Sequence, residues 1–250
     1  MKIIFNILLY FIPLGCFAQS NTSPEYIVGP IGKKENILKT SDPGFFYVKP
    51  IQYIGTVKAS ININYNNHDK YNPELQSNYE RITDSLNAEY NNRHYNNLNI
   101  FVDTVQTTPL EFVITDMQKI TIEELDLAME MMNEGKKPLR DIPVKTEYYD
   151  GFPVTISNQG SENPIIGFGN HLPLELEVLD QQKRWKTVYG VRRYGCGYGV
   201  DNYIILKQNE IATVFEPRLK GDFKTKFRYR LANIVSNEFI GNIDPRYIPD

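Results

Sequence analysis

The sequence is poor in the residues that build metal centres and disulfide scaffolds. It has two cysteines, three histidines and one tryptophan among 250 residues. The histidines, His68, His94 and His171, fall in no motif. There is no HExxH, no histidine pair at i, i+4 and no Cys/His cluster, so the spacing gives no zinc site. No GxSxG elbow marks a serine nucleophile, and no glycine-rich phosphate loop opens a helix. Charge of one sign is also scarce. Gln19 to Val144 carries 12 Lys and Arg against 17 Asp and Glu, and Lys145 to Asp250 carries 14 against 13. Neither half has the basic footprint of a nucleic-acid-binding domain, so no nucleic-acid partner is expected. No cofactor is expected either.

Long hydrophobic runs are limited to the start, MKIIFNILLYFIPLGCFAQS. Lys2 is a short basic region, Ile3 to Gly15 is apolar with one Asn and one Pro, and Cys16 and Ala18 supply small residues at −3 and −1. That is the pattern of a secretory signal peptide over residues 1–18. The run is too short and too interrupted to cross a bilayer, which needs roughly 20 apolar residues. Lipidation at Cys16 is the competing reading, but Pro13 and Leu14 fit a lipobox poorly. The expected product is exported, not membrane-spanning, and periplasmic, surface-associated or secreted. Leader removal leaves Cys196 as the only cysteine, which excludes an internal disulfide. Stability then has to come from a packed core, and about 230 residues can build one.

What the chain does have is alternation. From about Tyr148, Phe152, Val154 and Ile156 alternate with polar or small residues. Leu172, Leu174, Leu176 and Val178 follow, then Trp185, Thr187 and Tyr189. "NYIILKQNEIATVF" gives two runs broken at Gln208-Asn209, "FKTKFRYRLA" alternates without a fault, and "EFIGNI" closes the set. Short alternating strands separated by turn residues predict an all-β sandwich or barrel. Before residue 144 the pattern is mixed. "GFFYVKP", "TVKASININYN", "LNIFVDTV" and "LEFVITDM" read as strands, with Val57, Ala59, Ile61, Ile63 and Tyr65 on one face of the second. Asn72-Pro73 suits a helix start, and Leu75, Tyr79, Ile82, Leu86 and Tyr90 make a narrow helical stripe. Thr121 and Glu124 form a capping box for a second helix, with Leu125, Ala128 and Met131 or Met132 buried and Gly135 at its end. Pro138 and Pro143 read as a linker. The expected organisation is a mixed α+β region over 19–144 and a β-sandwich over 145–250. The early strands completing the later sheets, in one domain, is the alternative.

The strongest single pattern is "FKTKFRYR". Phe223, Thr225, Phe227, Tyr229 and Leu231 point one way, and Lys224, Lys226, Arg228 and Arg230 the other. At about 3.3 Å per residue the cations recur roughly every 6.6 Å. Such a ladder suits an anionic glycan, lipid headgroups or an acidic envelope protein. It also suits a solvated face that discourages sheet pairing, or one whose charges meet Glu175 and Glu177 across strands. In "RRYGCGYGVDNY", Arg192 and Arg193 would lower the pKa of the Cys196 thiol. However, on a strand 193 and 196 face opposite sides. The alternating glycines 195, 197 and 199 suit a bend or bulge. Glu238 and Asp244 offer oxygen ligands without a calcium-loop motif.

"CGYGVDNY", "GDFKTKFRYRL" and "VSNEFIGNID" resemble the C-terminal strands of exported bacterial β-sandwich proteins of unknown function. The resemblance covers roughly residues 150–248. It implies export and an immunoglobulin-like sandwich, and it carries over no catalytic residues. The expectation is a mainly β, non-enzymatic exported protein that binds a protein or glycan partner at the envelope or outside the cell. A secreted hydrolase with a site assembled from distant residues and a structural subunit of an envelope assembly are the alternatives.

Overall fold

The computed structural model describes residues 23–29, 50–63, 76–115, 144–189 and 202–249, together with positions 121, 123, 126, 127, 130 and 131. Over these residues the chain is mainly β, with several antiparallel sheets and one helix of defined bounds.

A first five-stranded sheet is built around two long strands, β7 (Val144–Asn158) and β12 (Glu210–Pro217). They pair antiparallel from Ile211↔Ser157 to Pro217↔Gly151. β2 (Tyr53–Thr56) pairs with the other side of β12. β5 (Leu98–Val102) and β6 (Thr108–Thr115) take successive halves of the free side of β7. Strands from both sides of residue 144 thus share one sheet. A second five-stranded sheet runs β10 (Trp185–Tyr189), β9 (Glu175–Leu179), β13 (Phe223–Leu231), with β14 (Ile234–Val235) and β15 (Phe239–Ile243) end to end along the other side of β13.

One core cluster draws residues from both sheets. Val154, Ile156, Ala212 and Val214 come from the first, and Leu176, Val178, Phe227, Tyr229 and Leu231 from the second. The alternation expected of "FKTKFRYRL" holds at its C-terminal end, where Phe227, Tyr229 and Leu231 are buried between partly exposed arginines. Fully burying each large apolar side chain contributes about 1.5–3 kcal/mol. The break at Gln208-Asn209 also holds. Asn209 takes φ 62°, a left-handed turn conformation that Asn tolerates.

The first sheet is covered on its other face as well. β1 (Glu25–Val28) and β3 (Ser60–Ile63) form a parallel pair, and Tyr26, Ile61 and Ile63 pack on Leu110, Ile211 and Phe215. This explains why seven consecutive residues of β12 are buried. Two buried faces leave no solvent for polar groups, so Thr155 and Thr213 are satisfied internally. The Tyr26 hydroxyl lies 3.0 Å from Thr155 Oγ1 and 2.6 Å from Thr213 Oγ1. Ile61 and Ile63 fall on the buried face as expected, whereas Val57, expected with them, is exposed and precedes the strand.

A third sheet, β4 (Tyr79–Arg81), β11 (Asn202–Ile205) and β8 (Ile165–Phe168), carries the helix α1 (Asp84–Asn91). This corrects the expected helical stripe from Leu75 to Tyr90. Tyr79 belongs to a strand, because Tyr79–Arg81 pairs with Ile204, Tyr203 and Asn202, and the helix begins only after Thr83. The Thr83 side chain caps it by accepting from the Leu86 amide at 3.3 Å. No residue of α1 is buried, which fits the narrow apolar face. In the second expected helix, positions 123, 126, 127, 130 and 131 are helical. Leu125, Ala128 and Gly135 lie outside the described residues.

Candidate functional site

The outward face of the second sheet gathers most of the charge pattern seen in the sequence. Register places Arg228 opposite Glu177 and Arg230 opposite Glu175 on β9. Arg228 Nε donates to Glu177 Oε2 at 2.7 Å, and Arg230 Nε sits 2.8 Å from Glu177 Oε1. Arg230 also pairs with Glu175. The Glu177 side chain is only 9% exposed, so it is held between two guanidinium groups with little water to compete. On its far side Arg228 lies over the Trp185 ring, 4.1 Å from the centroid, a contact worth about 0.5–2 kcal/mol. Lys226 pairs with Glu238 at 2.7 Å, both well exposed, and such pairs contribute little.

Three of the four ladder cations therefore face carboxylates. Lys224, opposite Asn242 on β15, has no carboxylate partner among the described residues. The face is a mixed-charge surface with an aromatic–cation stack at one side and exposed Ile240 and Val235 at the other. It is not a continuous cationic track. The other sequence candidates are placed as follows. Arg192, Arg193 and Cys196 lie outside the described residues, as does His68. His94 Nε2 is 3.5 Å from Asn233 Nδ2, and His171 bridges to Phe168 and Pro50 in short antiparallel contacts. Asp244 is occupied by Arg246, whose backbone and side chain both donate to it. Those bonds hold its carboxyl down to about 2. Among the described residues no group of three or more His, Cys, Asp or Glu is placed to hold a metal ion.

Beside this face lies a feature that strand-by-strand reading missed. A cavity of about 190 Å³ sits between residues 217–219, at the end of β12, and residues 240–242 of β15. Its lining includes Phe152, Phe227, Tyr229 and Phe239, the first three almost fully covered by protein. Phe239 is the hub. It is edge-on to Phe152 at 5.3 Å, tilted to Phe227 at 5.6 Å and stacked with Tyr229 at 6.0 Å. Below, the Tyr229 hydroxyl donates at 3.0 Å to Glu216 Oε2, a carboxylate that is 1% exposed. On the lip, the Arg218 guanidinium is fixed by Asp150 at 3.2 Å and by the Thr104 carbonyl at 2.6 Å, and lies 5.4 Å from the Phe152 ring centroid. The alternation at Phe152, Phe227 and Tyr229 signalled buried positions but not that they meet. Phe152 and Phe239 lie on other strands, and only the topology brings them there.

A second aromatic group sits under α1. Tyr90 packs on Tyr203 at 4.9 Å, with the Arg93 guanidinium 4.0 Å from its ring centroid. Burial pushes its hydroxyl up to about 12. Both surroundings of this ring are protein, so the group anchors the helix.

No family model, curated protein or solved structure matches the chain.

Proposed function

We propose that the chain is an exported, non-enzymatic binding module with an immunoglobulin-like β-sandwich, and that it engages a protein partner at the bacterial envelope or outside the cell. The leader-like residues 1–18 and the likeness of residues 150–248 to exported sandwich proteins support export. The shared core between the two five-stranded sheets supports the sandwich.

The outward face of β9, β13 and β15 carries the binding reading. Cross-strand pairing engages Lys226, Arg228 and Arg230 with Glu238, Glu177 and Glu175. A polyanion would have to compete with those carboxylates. A folded partner presenting both charge signs and apolar patches would not, because interface specificity comes from complementary charge around an apolar centre. Protein is therefore favoured over anionic glycan. The double variant Lys226→Glu/Val235→Glu alters the exposed part of this face and leaves the Arg228–Glu177 pair intact. Purified variant and parent, immobilised and exposed to an envelope extract of the source cells, are compared by quantitative mass spectrometry. A discrete protein retained by the parent and lost from the variant is expected. Equal retention by both would refute the face as the binding surface.

A further inference from the structure

On the outward face of the second sheet the charges divide by depth. Glu177, Arg228 and Arg230 are closed on one another, with side chains 9%, 23% and 37% exposed. Lys226 and Glu238 stand out from them at 52% and 45%, although they too pair at 2.7 Å. Register sets their places. Lys226 lies opposite Ile240 and Phe227 opposite Phe239, so Glu238, immediately before β15, sits on the diagonal from Lys226. Ile240 is 57% exposed. It is next to both charges, about 4.8 Å from Lys226 across the strands and roughly 6.6 Å from Glu238 along its own.

A two-fold interface joins one patch to itself, so residue i meets j and j meets i. A patch of a single charge sign fails that condition, because like meets like. The Lys226–Glu238–Ile240 patch meets it. A half-turn about an axis over Ile240, equidistant from the two charges, sets isoleucine on isoleucine. It also brings Lys226 to the partner subunit's Glu238 and Glu238 to the partner subunit's Lys226. Neither intrachain pair has to break. The two ion pairs lie head to tail, and each carboxylate gains a second cation. Arg228 falls opposite its own counterpart, but Glu177 already neutralises it and Trp185 covers its other side. The strands of the two copies then cross at a steep angle, in the orthogonal class of sheet packing. The face is four strands wide, about 19 Å, and no longer than the nine residues of β13, about 30 Å. Such a footprint is at the low end of protein interfaces, which bury about 800 Å² per partner when stable, so the association is reversible.

We propose that the protein partner of this face is a second copy of the chain, joined through a two-fold contact of Ile240 on Ile240 flanked by crossed Lys226–Glu238 pairs. This rests on the reading of the chain as a protein-binding module and names its partner. Charge complementarity carries the choice. A partner must present one anion, one cation and an apolar side chain between them in matching places, and the face itself presents that set.

Sedimentation velocity on the full chain after leader removal reads the association. Concentrations from about 1 µM to about 300 µM bracket the weak affinity of so small an interface. The parent is expected to pass from monomer to dimer across that range. Lys226→Glu and Glu238→Lys each set like charges across the axis, and each is expected to weaken the dimer tenfold or more. Mixed in equal amounts, the two variants are expected to recover a dimer, because one copy then carries two anions where the other carries two cations. Adding Ile240→Asn to both is expected to abolish that recovery, which separates a seated contact from attraction between oppositely charged chains. The parent measurement needs no variant, so the test stands even where a variant does not fold. A parent that stays monomeric throughout, a dimer indifferent to both charge reversals, or a mixture that recovers nothing would overturn the proposal. A monomeric parent that still retains a discrete envelope protein removes the self-pairing and leaves the binding module standing. A monomeric parent that retains nothing removes both.

Discussion

Glu177 is the residue on which the charged face turns. Its carboxylate is nearly buried and meets two guanidinium groups, one of which also stacks on Trp185. Removing one member of a desolvated pair leaves the others uncompensated, at about 3–5 kcal/mol when burial is complete. Here the arginines keep some water, so Glu177→Gln is expected to cost about 1–3 kcal/mol in chemical denaturation. Glu238→Gln breaks the exposed Lys226 pair and is expected to cost less than about 0.5 kcal/mol. Equal costs would mean that burial does not set the strength of these pairs. Cross-strand pairing of the ladder with Glu175 and Glu177 was legible as one alternative, because spacing of two fixes the face. Which alternative holds depends on β9 lying beside β13 in a register that opposes Arg228 to Glu177, and no local pattern specifies that.

At the scale of the element, α1 is eight residues long with nothing buried, too short to persist in water without tertiary contacts. Tyr90 supplies them through Tyr203 and Phe168. Its hydroxyl rises from 10.0 to about 12 on folding because burial disfavours the phenolate. A raised pKa means that the folded state holds the proton more tightly. The contribution is therefore full below pH 10 and lost as pH climbs towards 12. The protection factors of residues 84–91, which discount the hydroxide-catalysed rise of intrinsic exchange, are expected to fall across that window, ahead of β7 and β12, and Tyr90→Phe to remove the early step. Simultaneous exchange of helix and sheet would contradict this anchoring. The same helix shows why boundaries were hard to read. Tyr79, Ile82, Leu86 and Tyr90 satisfy a helical period, but pairing with β11 claims Tyr79–Arg81 for a strand. Tertiary pairing overrides a weak stripe. Where alternation was strong, as at Phe152, Val154 and Ile156, strand and buried face both matched.

For the molecule as a whole, the mainly β character was plain from the repeated alternation, whereas the wiring of the sheets was not. β7 is flanked by β5 and β6 on one side and β12 on the other, with β2 beyond. The other strands of its sheet come from residues 53–56, 98–102, 108–115 and 210–217, separations that sequence spacing does not encode. A fragment of residues 145–250 lacks three of those strands and the β1–β3 cover. It is expected to show no cooperative thermal transition by circular dichroism, whereas residues 19–250 melt in one. A cooperative transition in the fragment would show that the first sheet does not need its N-terminal strands. The central claim, that the outward face of the second sheet meets a protein partner, is tested most directly by in-cell photo-cross-linking. A photoreactive residue is placed at Val235, 43% exposed on that face, and separately at Val105, 92% exposed between β5 and β6. The account predicts a discrete envelope-protein adduct from position 235 and none from 105. No adduct from 235, or the same adducts from both, would contradict it.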